Sequence, residues 1–548
     1  MADPNEISAS TIAAAERLAQ VRYTEAERAL MLETIGEQIA LAASRRNVAL
    51  PTGLGPATRF DPRLPGFRMP AQAPLAVPPA NLPLPDNDVD IAFAPMTALS
   101  SWLRSGRLSA ERLAGIYLAR IARLAPALHC FALVDAQGAL ARARELDRML
   151  AAGTWLGPLH GIPWGAKDIL DTAGIETAWG AEPYRGRVPL ADATVVRRLH
   201  AAGAVLLGKT SVGALAYGDL WYGGRTRNPW NTEEGSRGSS AGSAAATAAG
   251  LAAFCLGTET LGSIVIPACR TGVTGLRPTF GRVPRTGAMP LCWTLDKIGP
   301  TARSVADTAL VLAAINGADP EDPFGIDAPF GGDLGRDVAG LRVGYFPPDF
   351  ELDGAEAVER AALHAAQKAG LVLVPLDRPE LPYGSLMSLL AAEAAASFEE
   401  LTLSDRDDEL SWQSAAAWPN GFRQARFLSA VDHVQLDRLR RLVMQVMDGC
   451  FAQVDAIIGP SLAGPMMVIT NFTGHPCLCL PAGFISSPSR QQASLSRPVA
   501  ASAEGPRFTV PHNICLWGKL FDEGTILAIG RALEEILGTN KRRPLVVD

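Results

Sequence analysis

The chain of 548 residues is 48% hydrophobic and 19% charged. It is roughly two to four times as long as a typical domain, so it can bury a large core, and its composition excludes an intrinsically disordered protein. The formal net charge of −6 offers no basic surface for nucleic acid, and we therefore expect no nucleic-acid partner.

The N-terminal sequence MADPNEIS lacks the basic and apolar regions of a secretory signal. The longest run of small apolar residues, 244–257, is too short to cross a bilayer and predicts a buried helix. Eight cysteines lie in apolar surroundings, which is typical of reduced core thiols rather than of a disulfide framework. These features predict a cytoplasmic protein with no membrane partner.

The first part of the chain has its own helical pattern. Two helices are predicted, at 8–22 and 25–46. Thr24 and Glu27 have the spacing of a capping box at the start of the second helix. Such a small helical pair needs a larger surface to pack on, so we expect it to dock on the rest of the protein.

A proline-rich passage follows between residues 51 and 85. Proline fixes φ and removes a hydrogen-bond donor, so this passage is predicted to be extended and to wrap over a surface. We therefore divide the chain into an N-terminal helical and proline-rich segment, 1–90, and a main domain, 91–548. A polar stretch at 485–507, rich in Ser, Gln, Pro and Arg, predicts a surface insertion.

Helical and strand patterns alternate in the main domain. Residues 110–124 and 138–151 predict amphipathic helices, whereas 204–207, 372–375 and 456–459 predict short buried strands. This alternation predicts an α/β fold in which helices cover both faces of a large, mixed, mostly parallel twisted sheet.

Three stretches combine glycine with residues capable of chemistry. They are GPLHGIPWGAKDIL (157–170), GSRGSSAGSAAATAAG (235–250) and GTETLGSIVIP (257–267). Small residues before a helix offer backbone N–H groups to an anion. Taken alone, however, the second stretch fits a helix-capping loop equally well, and Lys167 in the first fits an ordinary surface lysine.

Together these stretches resemble the amidase signature family, whose pattern is G-x-P-x-x-x-K-D, then G-S-S-x-G-S, then G-T-x-x-x-G-S-I-x-x-P. The matching positions are 161–168, 238–243 and 257–267. The resemblance covers roughly residues 91–540 and implies the amidase signature fold. It also implies a serine hydrolase that cleaves non-peptide C–N bonds of small amides, with esters and carbamates as further substrates, and that needs no cofactor or metal.

The resemblance assigns roles to particular residues. Lys167 is implied as the base, Ser239 as the bridging serine and Ser263 as the nucleophile that forms an acyl-enzyme. A lysine can act as a base near neutral pH only if burial lowers its pKa. The implied oxyanion hole consists of the backbone N–H groups of Thr260, Leu261, Gly262 and Ser263.

The sequence departs from the family pattern close to these residues. Leu261 and Arg237 stand where glycine is common, Val265 where arginine is common, and Glu259 where aspartate is common. If position 261 requires a positive φ, leucine there is unfavourable. These departures leave the substrate open.

Other motifs suggest different chemistry. Residues 203–210 match the Walker A pattern, but Ala-Val-Leu-Leu at its loop positions predicts a strand instead of a phosphate loop. Residues 238–242 match a nucleophile elbow, which would make Ser240 the nucleophile of an α/β-hydrolase esterase with a downstream histidine as its base. The spacing of His475, Cys477 and Cys479 fits a buried strand better than a zinc site.

The main domain is also similar to the A subunit of glutamyl-tRNA amidotransferase, which implies an alternative function as an ammonia-releasing subunit. The first 70 residues weakly resemble the C subunit of that enzyme. Residues 385–435 are expected to form part of the pocket wall and to favour a neutral, partly aromatic substrate, although their aromatics fit an ordinary core as well. The candidate contacts are Trp412, Trp418, Phe422 and Phe427.

Overall fold

A sheet of eleven strands runs through the centre of the protein in the computed structural model, which describes residues 7–352, 356–490 and 506–544. Four short strands form two separate two-stranded ribbons. The strands in chain order are β1 (Phe131–Val134), β2 (Pro163–Lys167), β3 (Val205–Thr210), β4 (Leu220–Trp221), β5 (Gly224–Arg225), β6 (Arg227–Asn228), β7 (Asn231–Gly235), β8 (Phe254–Glu259), β9 (Thr274–Arg277), β10 (Lys297–Ala302), β11 (Arg342–Tyr345), β12 (Val372–Pro375), β13 (Ala456–Pro460), β14 (Cys477–Pro488) and β15 (Arg507–Gly518).

Helices surround the sheet. In chain order they are α1 (Ala9–Ala19), α2 (Glu25–Arg46), α3 (Asp88–Phe93), α4 (Met96–Arg104), α5 (Ala110–Leu128), α6 (Ala136–Ala151), α7 (Thr194–Ala201), α8 (Ala241–Ala248), α9 (Val265–Thr271), α10 (Val305–Ile315), α11 (Ala357–Lys368), α12 (Met387–Ser397), α13 (Glu399–Leu403), α14 (Trp418–Ala425), α15 (Ala430–Phe451), α16 (Met466–Phe472) and α17 (Glu523–Leu537). Within the described chain, none of these helices combines the length and the apolar character needed to span a bilayer.

The strand order in the large sheet is β1-β3-β2-β8-β10-β9-β14-β15-β13-β11-β12. This arrangement confirms the predicted large mixed sheet. Among the described strands, four neighbouring pairs are parallel, namely β2–β3, β2–β8, β11–β12 and β11–β13, and the other six are antiparallel. The expectation that parallel pairs would predominate was wrong. A strand that is buried on both faces is apolar throughout, whether its neighbours run parallel or antiparallel to it, so its sequence does not reveal their direction.

Hydrophobic cores lie on both faces of the sheet. Along β14, Leu478 and Leu480 pack into one cluster, whereas Cys477 and Cys479 pack into the other. Alternate residues of a strand point to opposite faces, so the two clusters are the two layers of the predicted fold. All eight cysteines are buried and unpaired, as their apolar surroundings predicted.

The predicted elements are largely present. The strands at 372–375 and 456–459 correspond to β12 and β13, and the Walker A look-alike at 203–210 forms β3. The run 244–257 is not one helix, because α8 ends at Ala248 and β8 begins at Phe254. Gly250, with a left-handed φ of 64°, lies between them and separates the two elements.

The helices of the N-terminal segment make few contacts with the main domain, whereas its extended part makes more. The capping box of α2 is present, with Thr24 N–H donating to Glu27 at 2.6 Å, but α2 buries no residue. Further along, the Arg440 guanidinium lies 3.3 Å from the centre of the Phe60 ring. The predicted insertion at 485–507 lies mostly outside the described residues, since only its flanks in β14 and β15 are described.

Candidate active site

Lys167 is the last residue of β2, a strand in the interior of the sheet. Its side chain is fully buried. The Nζ atom lies 2.9 Å from Ser239 Oγ and 3.0 Å from Ser240 Oγ. It also donates to Thr258 Oγ1 at 2.7 Å and lies 3.3 Å from the Thr258 carbonyl oxygen. The lysine is therefore held by hydroxyl and carbonyl groups and, among the described residues, by no carboxylate.

Burial lowers the pKa of Lys167 to about 7, although the charges of Asp296 and Glu259 act in the opposite direction. Desolvation penalises the ammonium form, which would normally persist to far higher pH. Near neutral pH a substantial fraction of the amine is thus neutral, and its lone pair is able to accept a proton. The hydroxyl groups within hydrogen-bond reach of this amine are those of Thr258, Ser239 and Ser240.

Ser239 and Ser240 lie in the loop between β7 and α8, and the Gly238–Ser239 peptide bond is cis. Ser239 is 1% exposed and Ser240 is fully buried. Ser240 N–H donates to the Ser263 carbonyl oxygen at 3.1 Å, and its Oγ accepts from Thr258 N–H at 3.1 Å. Ser240 therefore braces the loop that carries Ser239 against the loop that carries Ser263.

The surroundings of Ser240 do not match a nucleophile elbow. The strand before it, β7, pairs with β6 in a separate ribbon and not in the central sheet. In the part of the chain that is described, its side chain contacts Lys167 and Thr258 and no histidine. The base that an α/β-hydrolase needs is absent from these contacts.

Ser263 lies in the loop between β8 and α9 and is 8% exposed. The hydrogen bonds of the described residues leave four consecutive backbone N–H groups in this loop without an acceptor. These groups belong to the four residues predicted to form the oxyanion hole, Thr260, Leu261, Gly262 and Ser263. Unpaired N–H groups grouped beside a serine suit a developing oxyanion.

The backbone of this loop shows whether position 261 requires a positive φ, which would be unfavourable for leucine. The residue with a left-handed φ is Gly262, at 75°, and Leu261 is not among the described residues with positive φ. Leucine is therefore accommodated without backbone strain, and the glycine that the turn requires is present one residue later.

Glu259 anchors the same loop through hydrogen bonds to its carboxylate. One of its carboxylate oxygens accepts N–H groups of Ile264 and Val265 at 2.8 and 3.0 Å. The other accepts from Arg277 at 2.7 Å and Asn471 at 2.9 Å. Burial alone would raise the pKa of this carboxyl, but the neighbouring positive charges, chiefly that of Arg277, hold its pKa at about 2. Beyond the departure from aspartate, no sequence feature indicated this anchoring role.

Replacing Gly262 by alanine is expected to distort the loop. A Cβ there would lie 2.5 Å from Ile266 Cδ1 and 2.7 Å from Met467 Sδ, and φ is +75°. We expect a loss of about 1–3 kcal/mol in the free energy of unfolding and a fall in kcat/KM of about 10²–10³-fold as a predicted oxyanion donor moves. Denaturant titration and steady-state kinetics measure the two effects.

Gly174 offers a matched control, because its φ is +74° but nothing lies within 4 Å of an added Cβ. Gly174→Ala should share the backbone strain and keep its activity. Equal activity in the two variants would contradict an oxyanion role for this loop.

Ser263 opens into a cavity of about 430 Å³, including open solvent at its mouth, which we call the serine cavity. It is mostly apolar, and Arg237 is the one charged residue lining it among those described. A second cavity of about 790 Å³ adjoins it, shares Ala216, Thr260 and Leu291, and is covered in part by Gly53 and Gly55 of the N-terminal segment. The apolar and aromatic lining of the serine cavity includes Tyr217, Leu261, Ile266, Leu390 and Trp418.

The four predicted aromatic contacts occupy different environments. Trp418 lines the serine cavity, and Trp412 stacks on Tyr217 with the ring centres 5.1 Å apart. Phe422 is 1% exposed and belongs to the core. Phe427 is 66% exposed and lines neither cavity. Trp418 is thus the member of this set that lines the same cavity as Ser263.

Several contacts in the site were not predicted from the sequence. Thr258 contacts Lys167 through two atoms, and Ser240 joins the two serine loops. Asp296 accepts the Thr260 hydroxyl at 2.5 Å and the N–H groups of the turn at 291–292. The available signal for Ser240 and Thr258 was their position inside the motifs at 238–243 and 257–267, but a linear pattern does not show which side chains meet.

The remaining motifs have structural roles. Lys209 of the Walker A look-alike is buried in β3, where it donates to the Leu170 carbonyl at 2.7 Å and to Thr177 at 2.5 Å. Its Nζ also lies 3.6 Å from Asp168. Cys477 and Cys479 are buried in β14, as predicted for a strand.

Comparisons with known proteins identify the relatives of this chain. Residues 112–526 match the family model described as Amidase. The chain is 34% identical over 493 residues to the A subunit of the glutamyl-tRNA(Gln) amidotransferase from Roseiflexus castenholzii, covering 81% of this chain and 96% of that protein. It resembles the peptide amidase from Stenotrophomonas maltophilia with a TM-score of 0.69 and 30% identity, over 82% and 98% of the two chains.

Another solved structure, described as a vestigial protein complex that reveals the origins of an s-triazine catabolic enzyme, matches with a TM-score of 0.71 and 29% identity. That match covers 81% of this chain and 98% of the other. The fold and these matches define an amidase-type enzyme that acts on carbon–nitrogen bonds. More particularly, the chain belongs to the amidase signature family, which confirms the family predicted from its three motifs.

Proposed function

We propose that the protein hydrolyses a non-peptide amide through an acyl-enzyme on Ser263, with Lys167 and Ser239 as the proton relay. The observation that carries this proposal is the 2.9 Å contact between the buried Lys167 amine and Ser239 Oγ. The unpaired N–H groups of residues 260–263 support it, because they offer an oxyanion hole beside the serine.

In the proposed reaction the Ser263 oxygen attacks the carbonyl carbon while its proton passes to Ser239, whose own proton passes to Lys167. The C–N bond then breaks, and the leaving amine takes a proton back through the same relay. Water next attacks the acyl-enzyme, releases the carboxylic acid and restores the Ser263 hydroxyl. Each oxyanion donor contributes about 3 kcal/mol to such a step. Esters follow the same course with an alcohol as the leaving group, and carbamates with an alcohol or an amine.

A second candidate function is that of an ammonia-releasing subunit of an amidotransferase. It is favoured by the 34% identity to the A subunit of an amidotransferase across 96% of that protein. In that case the substrate amide is the side chain of glutamine, and the ammonia passes to a partner protein. The chemistry at Ser263 is the same, so the two functions differ in substrate and assembly and not in machinery.

We also propose that residues 1–90 form a docked segment that serves the main domain, 91–548. Arg45 forms a bidentate ion pair with Glu399 at 2.7 Å, and Gly53 and Gly55 line the second cavity. A segment of the chain that covers a cavity beside the site favours a stand-alone amidase. The buried, unpaired thiols support a cytoplasmic location.

A substrate screen distinguishes the two functions. The purified full chain is incubated with aryl amides, primary amides, esters, carbamates and glutamine, and product is followed by chromatography and an ammonia assay. Turnover of small amides by the chain alone, lost in Ser263→Ala, is the expected result. Release of ammonia from glutamine only when a partner protein is added would favour the amidotransferase, and activity that survives Ser263→Ala would overturn both.

A further inference from the structure

Arg237 stands out among the residues around Ser263 because its charge is unmatched. Its guanidinium makes no hydrogen bond or ion pair with any residue that the structure describes, and it is the one charged residue lining the serine cavity in that part of the chain. Burial lowers the pKa of this guanidinium, against the opposing charge of Asp219. A partly buried cation without a partner is unfavourable unless a ligand supplies the opposite charge.

Asp219 does not supply that charge through a direct contact. One oxygen of its carboxylate accepts the backbone N–H of Arg237 at 2.9 Å. The other faces Arg225 Nε at 3.7 Å. Asp219 therefore fixes the backbone of residue 237 and leaves the guanidinium unpaired.

The backbone of Arg237 is itself unusual. Its φ is +56°, a left-handed conformation that is uncommon for residues other than glycine, asparagine and aspartate. The next residue, Gly238, packs so closely that an added Cβ would lie 1.9 Å from the Gly218 carbonyl oxygen. The loop thus has a fixed path, and it carries a long charged side chain at a position where glycine would be easier to accommodate. Residues held in this way cluster at ligand sites.

The other residues lining the serine cavity define the rest of the ligand. Tyr217, Leu261 and Trp418 give it an apolar and aromatic wall, and Ser263 lies in the same lining. A planar guanidinium fork matches a carboxylate through two parallel hydrogen bonds. The complementary ligand has an apolar body and one carboxylate.

We propose that Arg237 is a specificity-determining residue, and that the acyl part of the substrate carries a carboxylate which Arg237 binds in the serine cavity. This inference rests on the proposed function of Ser263 as the nucleophile. It replaces the neutral, partly aromatic substrate expected from residues 385–435.

The test uses two fluorophosphonate probes of equal chain length, one ending in a carboxylate and the other in a nitro group of the same planar shape. In both, the Ser263 oxygen bonds to phosphorus and fluoride leaves, so labelling requires no knowledge of the natural substrate. Labelling rates are measured by mass spectrometry of the full-length protein and of its Ser263 peptide.

The wild-type protein should react at least about tenfold faster with the carboxylate probe, since a charge-assisted hydrogen bond is worth about ten- to a hundredfold. In Arg237→Gln, which keeps a side chain at the same strained position, the two rates should become equal, chiefly because the carboxylate probe slows. Arg237→Lys should retain part of the preference. Arg237→Gly should lose the preference and denature at a higher temperature, because the left-handed strain is relieved.

Each outcome bears on one of two claims. Equal rates in the wild-type protein, or a preference that persists in Arg237→Gln, would overturn the role of Arg237 while leaving Ser263 as the nucleophile. Failure of both probes to label Ser263 would instead overturn the proposed function, and this inference with it.

Discussion

Replacing Ser263 by alanine is expected to lower kcat/KM for amide hydrolysis by about 10⁴–10⁶-fold, the range seen when a catalytic serine is removed from a hydrolase. Alanine removes the oxygen that would carry the acyl group. It leaves the loop conformation intact, because the Ser263 carbonyl still accepts the Ser240 N–H. Steady-state kinetics on a substrate found in the screen measure the loss, and thermal denaturation checks that the variant is folded.

Ser240→Ala is the informative companion, because Ser240 lies beside Ser239 in the sequence and its Oγ is 3.0 Å from Lys167 Nζ. It removes one bracing hydroxyl, so kcat/KM should fall by only about tenfold, as expected for one buried hydrogen bond. The opposite result, with Ser240→Ala inactive and Ser263→Ala active, would revive the nucleophile-elbow alternative.

Replacing Lys167 by methionine is expected to lower kcat/KM by about 10²–10⁴-fold, the contribution typical of a general base. In the wild-type enzyme the amine must be neutral to accept a proton. Because its pKa is lowered to about 7, kcat/KM should rise tenfold per pH unit below about 7 and level off above it. A pH–rate profile measures this, and a profile flat between about pH 5 and 9 would argue against Lys167 as the base.

The same pKa shift predicts how stability depends on pH. Between about pH 7 and the ordinary lysine pKa of 10.5, the unfolded chain binds a proton at Lys167 and the folded chain does not, so this residue makes stability increase with pH. The difference in unfolding free energy between Lys167→Met and the wild type should therefore shift in favour of the wild type as pH rises through this window. Denaturant titrations of both proteins measure it, and a difference that stays constant would count against a neutral, buried Lys167.

Much of the fold, and the proximity of Lys167 to Ser239, could be predicted from the sequence for identifiable reasons. Lys167, Ser239 and Ser263 lie in short motifs with fixed spacing, and β12 and β13 are short apolar runs bounded by polar residues. Strand direction was harder to predict, because it depends on which distant strands become neighbours.

Other features depend on three-dimensional packing. The sequence could not assign the positive φ to Gly262 instead of Leu261, since that choice is made by the turn geometry. Nor could it separate Trp418, in the serine cavity, from Phe427 on the surface, because both lie in one aromatic-rich stretch. The unpaired charge of Arg237 becomes visible only when its neighbours are known.

The most direct test of the central claim is to identify the residue that becomes covalently modified. A fluorophosphonate is added to folded, active protein, and the modified peptide is sequenced by mass spectrometry. We predict one label on Ser263 that appears as activity is lost, slows strongly in Lys167→Met and is absent in Ser263→Ala. A label on Ser240, or full loss of activity with Ser263 unmodified, would contradict the account.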